Sequence, residues 1–162
     1  RNANLAGADL SRADLTGADL TGANLTGANL RGAKLTNAIL KTSKLGKANL
    51  TGASASKADF TNASGIKANL SYINLNGATL VNTNLTSAKL DSSYLFQANL
   101  TGANLSSITA MYSNMTSANL TNANLTNSTI DYAFMLGAIT TGSVQTGTIF
   151  TGTQMPNGTI QK

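Results

Sequence analysis

Hydrophobic residues in this chain recur every five positions, and this period restricts the possible fold more than any other feature. The phase runs from Leu5 to Ile160 without a break, and 27 of the 32 positions carry Leu, Ile, Met or Phe. The position two residues earlier is Ala or Ser in 26 of the 32 units. The exceptions at the large position are Ala55, Gly65, Ala110, Thr140 and Gln145.

A period of five residues fits neither an α-helix nor a continuous β-strand. A helix repeats every 3.6 residues, so a five-residue stripe winds around it. A strand alternates with period two, so successive large residues would face opposite sides. Both conflicts disappear if each unit is a short extended piece followed by a bend, where Gly or Asn tolerates positive φ. Four bends close a 20-residue coil, and 162 residues make about eight coils.

The units themselves resemble a known family. Ala18-Asp19-Leu20-Thr21-Gly22 is followed without a spacer by Ala23-Asn24-Leu25-Thr26-Gly27, and this pattern resembles the pentapeptide repeats. Met155-Pro156-Asn157-Gly158 is also similar to the ends of some cyanobacterial members. The resemblance implies an all-β fold, a right-handed quadrilateral parallel β-helix, in which coils stack roughly 4.8 Å apart.

The final part of the chain departs from the pattern. Residues 1–136 are predicted to form the regular β-helix, and residues 137–162 a degenerate final coil and C-terminal cap of the same domain. Thr140 and Gln145 occupy inward positions there, while Ile139, Val144 and Ile149 lie one residue off phase. Either the backbone slips or the last coil opens into a cap. The phase is expected to recover at three residues: Phe150, Met155 and Ile160.

Catalysis is not expected, because the chain lacks the side chains and the concavity of an active site. It contains no Cys, which removes thiolate nucleophiles and thiolate metal ligands, and no His, which removes the commonest general base and metal ligand. No two carboxylates are stacked in adjacent coils. The nearest stacked pairs, Asp19 with Asp59 and Asp91 with Asp131, are two coils apart, roughly 9.6 Å. This separation is at the outer limit for two carboxylates that act through a water molecule. A square rod is convex on every side. We therefore predict no enzyme activity, cofactor, metal or small-molecule substrate.

Six of the eight aromatic residues are predicted to project outward from one side of the coil, at positions 12 to 16 of the 20-residue cycle. This set, the aromatic face, consists of Tyr72, Tyr94, Phe96, Tyr112, Tyr132 and Phe134. Clustered exposed apolar groups usually mark an interaction site, so the set is a candidate surface for an unknown protein partner or a homodimer. Alternatively, the aromatic residues only stabilise the sheet by stacking across it.

Basic residues cluster on another side of the early coils. This basic face consists of Lys41, Lys44, Lys47 and Lys67, and the 20-residue register places no acidic residue beside them. A polyanion such as nucleic acid or anionic lipid is the alternative ligand that it indicates. A solvated collar of charge explains the same pattern, and we favour it because no aromatic residue is interleaved there.

The family resemblance and the charge together restrict the function. The family includes fluoroquinolone-resistance proteins, acidic dimeric rods that mimic DNA and bind topoisomerase. Such mimicry needs rows of negative charge, whereas this chain has 11 basic and 6 acidic residues. A DNA-mimic topoisomerase inhibitor is therefore disfavoured. The sequence favours a non-catalytic structural or protein-interaction scaffold of bacterial origin.

The chain opens inside a repeat and without Met, so the natural protein is expected to continue upstream of Arg1. No apolar run approaches the roughly 18 residues of a membrane span. The expected compartments are the bacterial cytoplasm, the periplasm or the thylakoid lumen.

Overall fold

The computed structural model describes residues 1–162 as a solenoid whose backbone pairs with itself every 20 residues. Every fifth residue from Asn4 to Phe134 forms a parallel bridge with the residue 20 positions later, as in Asn24 with Lys44. Each 20-residue coil therefore has four pairing positions, as the period predicts. Each pairing involves a single residue, so the chain contains no helix and no continuous strand. The expected extended pieces are thus reduced to isolated bridges.

The bends between these bridges share one geometry. In a typical unit, Leu25 O accepts a hydrogen bond of 3.0 Å from Ala28 N, and Gly27 between them has a φ of 67°. In every bend before Met155 only the second central residue has positive φ, which is the signature of a type II turn. Gly27 N donates in turn to Gly46 O of the following coil at 2.9 Å. The bends therefore form hydrogen bonds between adjacent coils as well as within each turn.

An Asn or Asp at a bridge position also stabilises the bend that follows it. Asn49 Oδ1 accepts hydrogen bonds from Thr51 N at 3.1 Å and from Thr51 Oγ1 at 2.6 Å. Asp59 makes the same two contacts with Thr61, at 2.9 and 2.6 Å. Asn and Asp side chains stabilise turns in this way, which explains why Asn-Leu-Thr recurs at the bends.

The inward Ala and Leu rows form one continuous core, and its irregular units compensate for one another. Ala55 and Phe60, a small and a large residue at consecutive large positions, are both buried. At Gly65 the missing side chain is replaced from the next coil, because an added Cβ would lie only 2.8 Å from Leu85 Cδ2. A closed, apolar cavity of about 10 Å³ remains between Phe60, Gly65 and Leu85. An apolar void of this size is at the lower limit for one water molecule and offers it no polar partner.

Two buried serines in adjacent coils have different hydrogen bonding. Ser93 Oγ is buried without any partner, whereas Ser113 Oγ, one coil later, donates to Ala110 O at 2.7 Å. An unsatisfied buried hydroxyl costs about 1–3 kcal/mol. We expect Ser93→Ala to raise the free energy of unfolding by about 1 kcal/mol, measured by urea denaturation. Ser113→Ala is the matched control and should not stabilise; equal effects would contradict the assignment.

The final coil keeps its phase, so the backbone does not slip. Ile139, Val144 and Ile149 occupy bridge positions and point outward, about half exposed. The chain then reverses, and Gln154 forms an antiparallel bridge with Ile160. Ile160 is 60% exposed, so the prediction that it returns to the inward phase is wrong: the reversal places it outside the core. The role of residues 137–162 as a cap stays a prediction. The protein has no helix with the length and hydrophobicity needed to cross a bilayer.

Candidate interaction surface

The aromatic face is open to solvent over its whole length. All six of its side chains are between 40% and 62% exposed. Tyr112 and Tyr132 lie one coil apart and stack, with ring centroids separated by 5.3 Å and an interplanar angle of 11°. No other pair of aromatic rings on the face is in stacking contact. The structure therefore combines one stacked pair with four rings that no other ring covers.

The three turn tyrosines occupy a backbone conformation that favours glycine. Tyr72, Tyr112 and Tyr132 have φ values of 60°, 58° and 56° at the positive-φ position of their bends. Left-handed backbone costs an L-residue about 1–2 kcal/mol. In the same column, Gly52 and Gly152 supply the residue that the conformation prefers. Each of the three tyrosines therefore lowers backbone stability relative to glycine at the same position.

Gly152, which lies one coil after Tyr132 in the same column, is covered by the ring of Tyr132. A Cβ atom on Gly152 would lie 2.5 Å from Tyr132 Cδ1. A side chain there would displace the ring and disturb its stacking on Tyr112. Gly152 is thus the last member of the column of residues spaced 20 apart that contains Tyr72, Ser92, Tyr112 and Tyr132, here called the tyrosine column.

The aromatic face contains one apolar member that the sequence analysis missed. Leu136 is 46% exposed and lies in the same column as Phe96, two coils later. It was overlooked because only aromatic residues were considered. The sequence could have indicated it, because Leu136 directly follows the inward Met135, and the residue after an inward large residue lies in a bend and points outward.

The charge along the rod is divided sharply. Between residues 90 and 161 the only charged side chains are Asp91 and Asp131, and both lie immediately before residues of the tyrosine column. Asp91 Oδ1 accepts from Met111 N at 3.0 Å, and its Oδ2 accepts from Thr109 Oγ1 at 2.8 Å. Neither aspartate forms an ion pair. The later half of the aromatic face therefore carries uncompensated negative charge.

The basic face is weaker than its sequence suggests. Lys41 Nζ forms an ion pair with Asp59 Oδ2 at 3.1 Å, so the expectation that no acid lies beside this face is wrong for Lys41. The long lysine side chain reaches across a corner to the neighbouring side. Partial burial raises the pKa of Asp59, but hydrogen bonds from Thr61 and Lys41 lower it by more, so the pKa falls below its ordinary value. Asp59 is thus ionised at neutral pH and compensates Lys41.

The remaining carboxylates have structural partners. Asp19 pairs with Arg1, and Asp14 with Lys34 at 3.5 Å. Ser11 donates to Asp9 and holds the pKa of that carboxyl below its usual value. No group of three or more acidic side chains is placed to hold a metal ion. These carboxylates therefore act in turns and ion pairs.

The sequence matches a family profile described as "Pentapeptide repeats (8 copies)" over residues 1–41, 43–80, 80–111 and 88–127. Among curated protein sequences no significant match was found.

Several solved structures are similar to this solenoid. HetL, a pentapeptide repeat protein involved in heterocyst differentiation regulation from the cyanobacterium Nostoc sp. strain PCC 7120, is 31% identical with a TM-score of 0.57; the match covers 99% of this chain and 78% of HetL. Rfr23 from the cyanobacterium Cyanothece 51142 is 25% identical over 92% of this chain and 88% of its own, with a TM-score of 0.47. QnrB1, a plasmid-mediated fluoroquinolone resistance protein, is 16% identical over 92% and 80%, with a TM-score of 0.47.

Proposed function

Because the chain belongs to the pentapeptide-repeat family, we propose that it is a non-catalytic scaffold that binds another protein chain through its aromatic face. The fold that goes with this proposal is the right-handed quadrilateral β-helix implied by the family. Residues 137–162 act as the cap of the same domain.

The observation that supports the proposal is the placement of six exposed aromatic side chains on one side of the coil, three of them tyrosines in one column. Nineteen non-glycine residues have positive φ, and Tyr72, Tyr112 and Tyr132 are the only aromatic ones among them. Every bend of the repeat requires positive φ at this position, so a tyrosine there lowers backbone stability relative to glycine. Aromatic side chains are also enriched at protein interfaces, where they contribute much of the binding energy.

Removing two aromatic side chains tests the proposal. We expect Tyr112→Ser combined with Phe134→Ser to weaken association with a partner chain or a second copy at least tenfold, about 1.4 kcal/mol. The fold should persist, because Ser92 already occupies the same turn position as Tyr112 with a φ of 55°. Sedimentation equilibrium over a concentration series measures self-association, and a pull-down with each variant measures partner binding.

A matched control removes exposed apolar area from the other sides of the coil. Ile39 and Ile66 are 37% and 39% exposed, and Ile39→Ser with Ile66→Ser should leave association unchanged. Equal association of wild type and the aromatic-face variant would overturn the proposal.

Binding of a polyanion to the basic face is the second candidate function. Lys44, Lys47 and Lys67 form no ion pair, and Lys47 and Lys67 lie one coil apart. Counterion release makes such binding fall steeply with salt. Salt-dependent retention on heparin would favour this function, whereas a concentration-dependent dimer without such retention would favour the scaffold.

A further inference from the structure

The tyrosine column contains a gap of one coil. Its successive members from residue 72 onward are Tyr72, Ser92, Tyr112, Tyr132 and Gly152. The backbone fixes this register, because Tyr72 N donates to Asp91 O at 3.0 Å and Ser92 N donates to Met111 O at 2.7 Å. A short serine side chain therefore lies between two rings that are two coils apart, roughly 9.6 Å along the axis.

Two side chains in this column, those of Arg12 and Tyr132, lean towards the following coil. Arg12 Cγ would lie 3.7 Å from a Cβ on Gly32, and Tyr132 covers Gly152. If Tyr72 and Tyr112 lean in this way by the same amount, the distance between their two rings remains two coils. Rings in adjacent coils are 5.3 Å apart, as Tyr112 and Tyr132 show. A planar group between the rings of Tyr72 and Tyr112 would thus lie about 5 Å from each of them, within the range of cation–π contacts.

The charge beside the gap selects a cation. Asp91 directly precedes Ser92 and has no cationic partner, and no Lys or Arg lies between residues 90 and 161. A guanidinium group is planar, permanently charged and able to stack between aromatic rings, whereas an ammonium group is compact and strongly hydrated. The gap therefore matches an arginine side chain better than a lysine or a neutral ring.

We propose that the gap at Ser92, between Tyr72 and Tyr112, binds an arginine side chain presented by a protein partner. This inference rests on the proposed function, because it names the chemistry that the aromatic face recognises. The guanidinium stacks between the two rings, and the Asp91 carboxylate attracts its charge.

The experiment uses the whole chain and blocked Gly-Ala-Xaa-Ala-Gly peptides in which Xaa is Arg, Lys or Tyr. Backbone amide shifts of Tyr72, Ser92 and Tyr112 in two-dimensional NMR measure binding. The Arg peptide should shift these amides and bind at least about threefold more tightly than the Lys and Tyr peptides. Asp91→Asn should weaken Arg binding while its side-chain oxygen still accepts from Met111 N.

Ser92→Tyr provides the sharpest variant, because it fills the gap with a ring that this turn position already tolerates in Tyr72, Tyr112 and Tyr132. It should weaken Arg peptide binding at least fivefold. Ser107→Tyr is the matched control: Ser107 also has positive φ, 58°, but it lies in another column, and binding should be unchanged. Equal binding of Arg and Lys peptides, no binding, or full binding by Ser92→Tyr would each overturn the inference.

These results separate the inference from the function on which it rests. If the peptides fail but Tyr112→Ser with Phe134→Ser still abolishes association, the arginine site is wrong and the aromatic interface stands. If association is also unaffected by that double variant, the interface itself is wrong. Binding of the Arg peptide with a second copy displaced would show that another molecule of this chain, which carries Arg1, Arg12 and Arg31, supplies the guanidinium.

Discussion

Leu85→Ala should lower the free energy of unfolding by about 4–5 kcal/mol, at the upper end of the range for a buried leucine. The reason is that Leu85 Cδ2 occupies the space that a side chain at Gly65 would fill. Truncation joins this space to the cavity already present beside Phe60 and Gly65. Each additional 1 Å³ of void costs roughly 24 cal/mol. The shift of the urea midpoint at constant m-value measures the loss.

Leu105→Ala is the matched control for this prediction. Leu105 lies in the same column one coil later and is equally buried, but it lines no cavity. Its truncation should cost about 3 kcal/mol. If Leu105→Ala destabilises as much as Leu85→Ala, Leu85 does not compensate for Gly65.

The exchanged pair Ile108 and Ala110 should show strong coupling in a double-mutant cycle. Both residues are buried, but the large side chain occupies the usual small position and the small side chain the usual large one. Ile108→Ala alone leaves a void and should cost about 3 kcal/mol. Ala110→Leu alone overfills the core and should cost about 1–3 kcal/mol. The double variant restores the order of Ala88 and Leu90 in the preceding coil and should be within about 1 kcal/mol of wild type.

The expected coupling of at least about 3 kcal/mol is large for one pair of residues. Ile108→Ala combined with Ala55→Leu is the control, because Ala55 lies more than two coils away and the two effects should add. Urea denaturation of the full set measures both cycles. Additive effects of Ile108→Ala and Ala110→Leu would show that the side chains at the two positions do not compete for the same space in the core.

Most of the backbone follows from the period of five, because each bridge and bend is a local consequence of the repeat. The coil length and the inward rows were therefore predictable. The hydrogen bonding of Ser93 and Ser113 was not predictable, since a serine at the same phase has no partner in one coil and has one in the next. That difference depends on how individual neighbours pack.

The surface was predictable in direction but not in contacts. The register places Tyr112 and Tyr132 in one column, and they stack there. The ion pair between Lys41 and Asp59 was missed because a long side chain crosses a corner, which a map of columns does not represent. The reversal that exposes Ile160 was also missed, since phase alone cannot indicate where a chain stops coiling.

Pairing between residues 20 apart has a consequence for how such proteins diverge. One additional pentapeptide between Lys67 and Tyr72 would leave every inward residue in phase, yet it would turn everything after it through one quarter of a lap relative to the lysines. Four additional pentapeptides would lengthen the molecule and restore the original angle. Duplication or loss of single units thus changes the direction in which a surface is presented while the interior is conserved, so recognition can evolve by the count of units as well as by substitution.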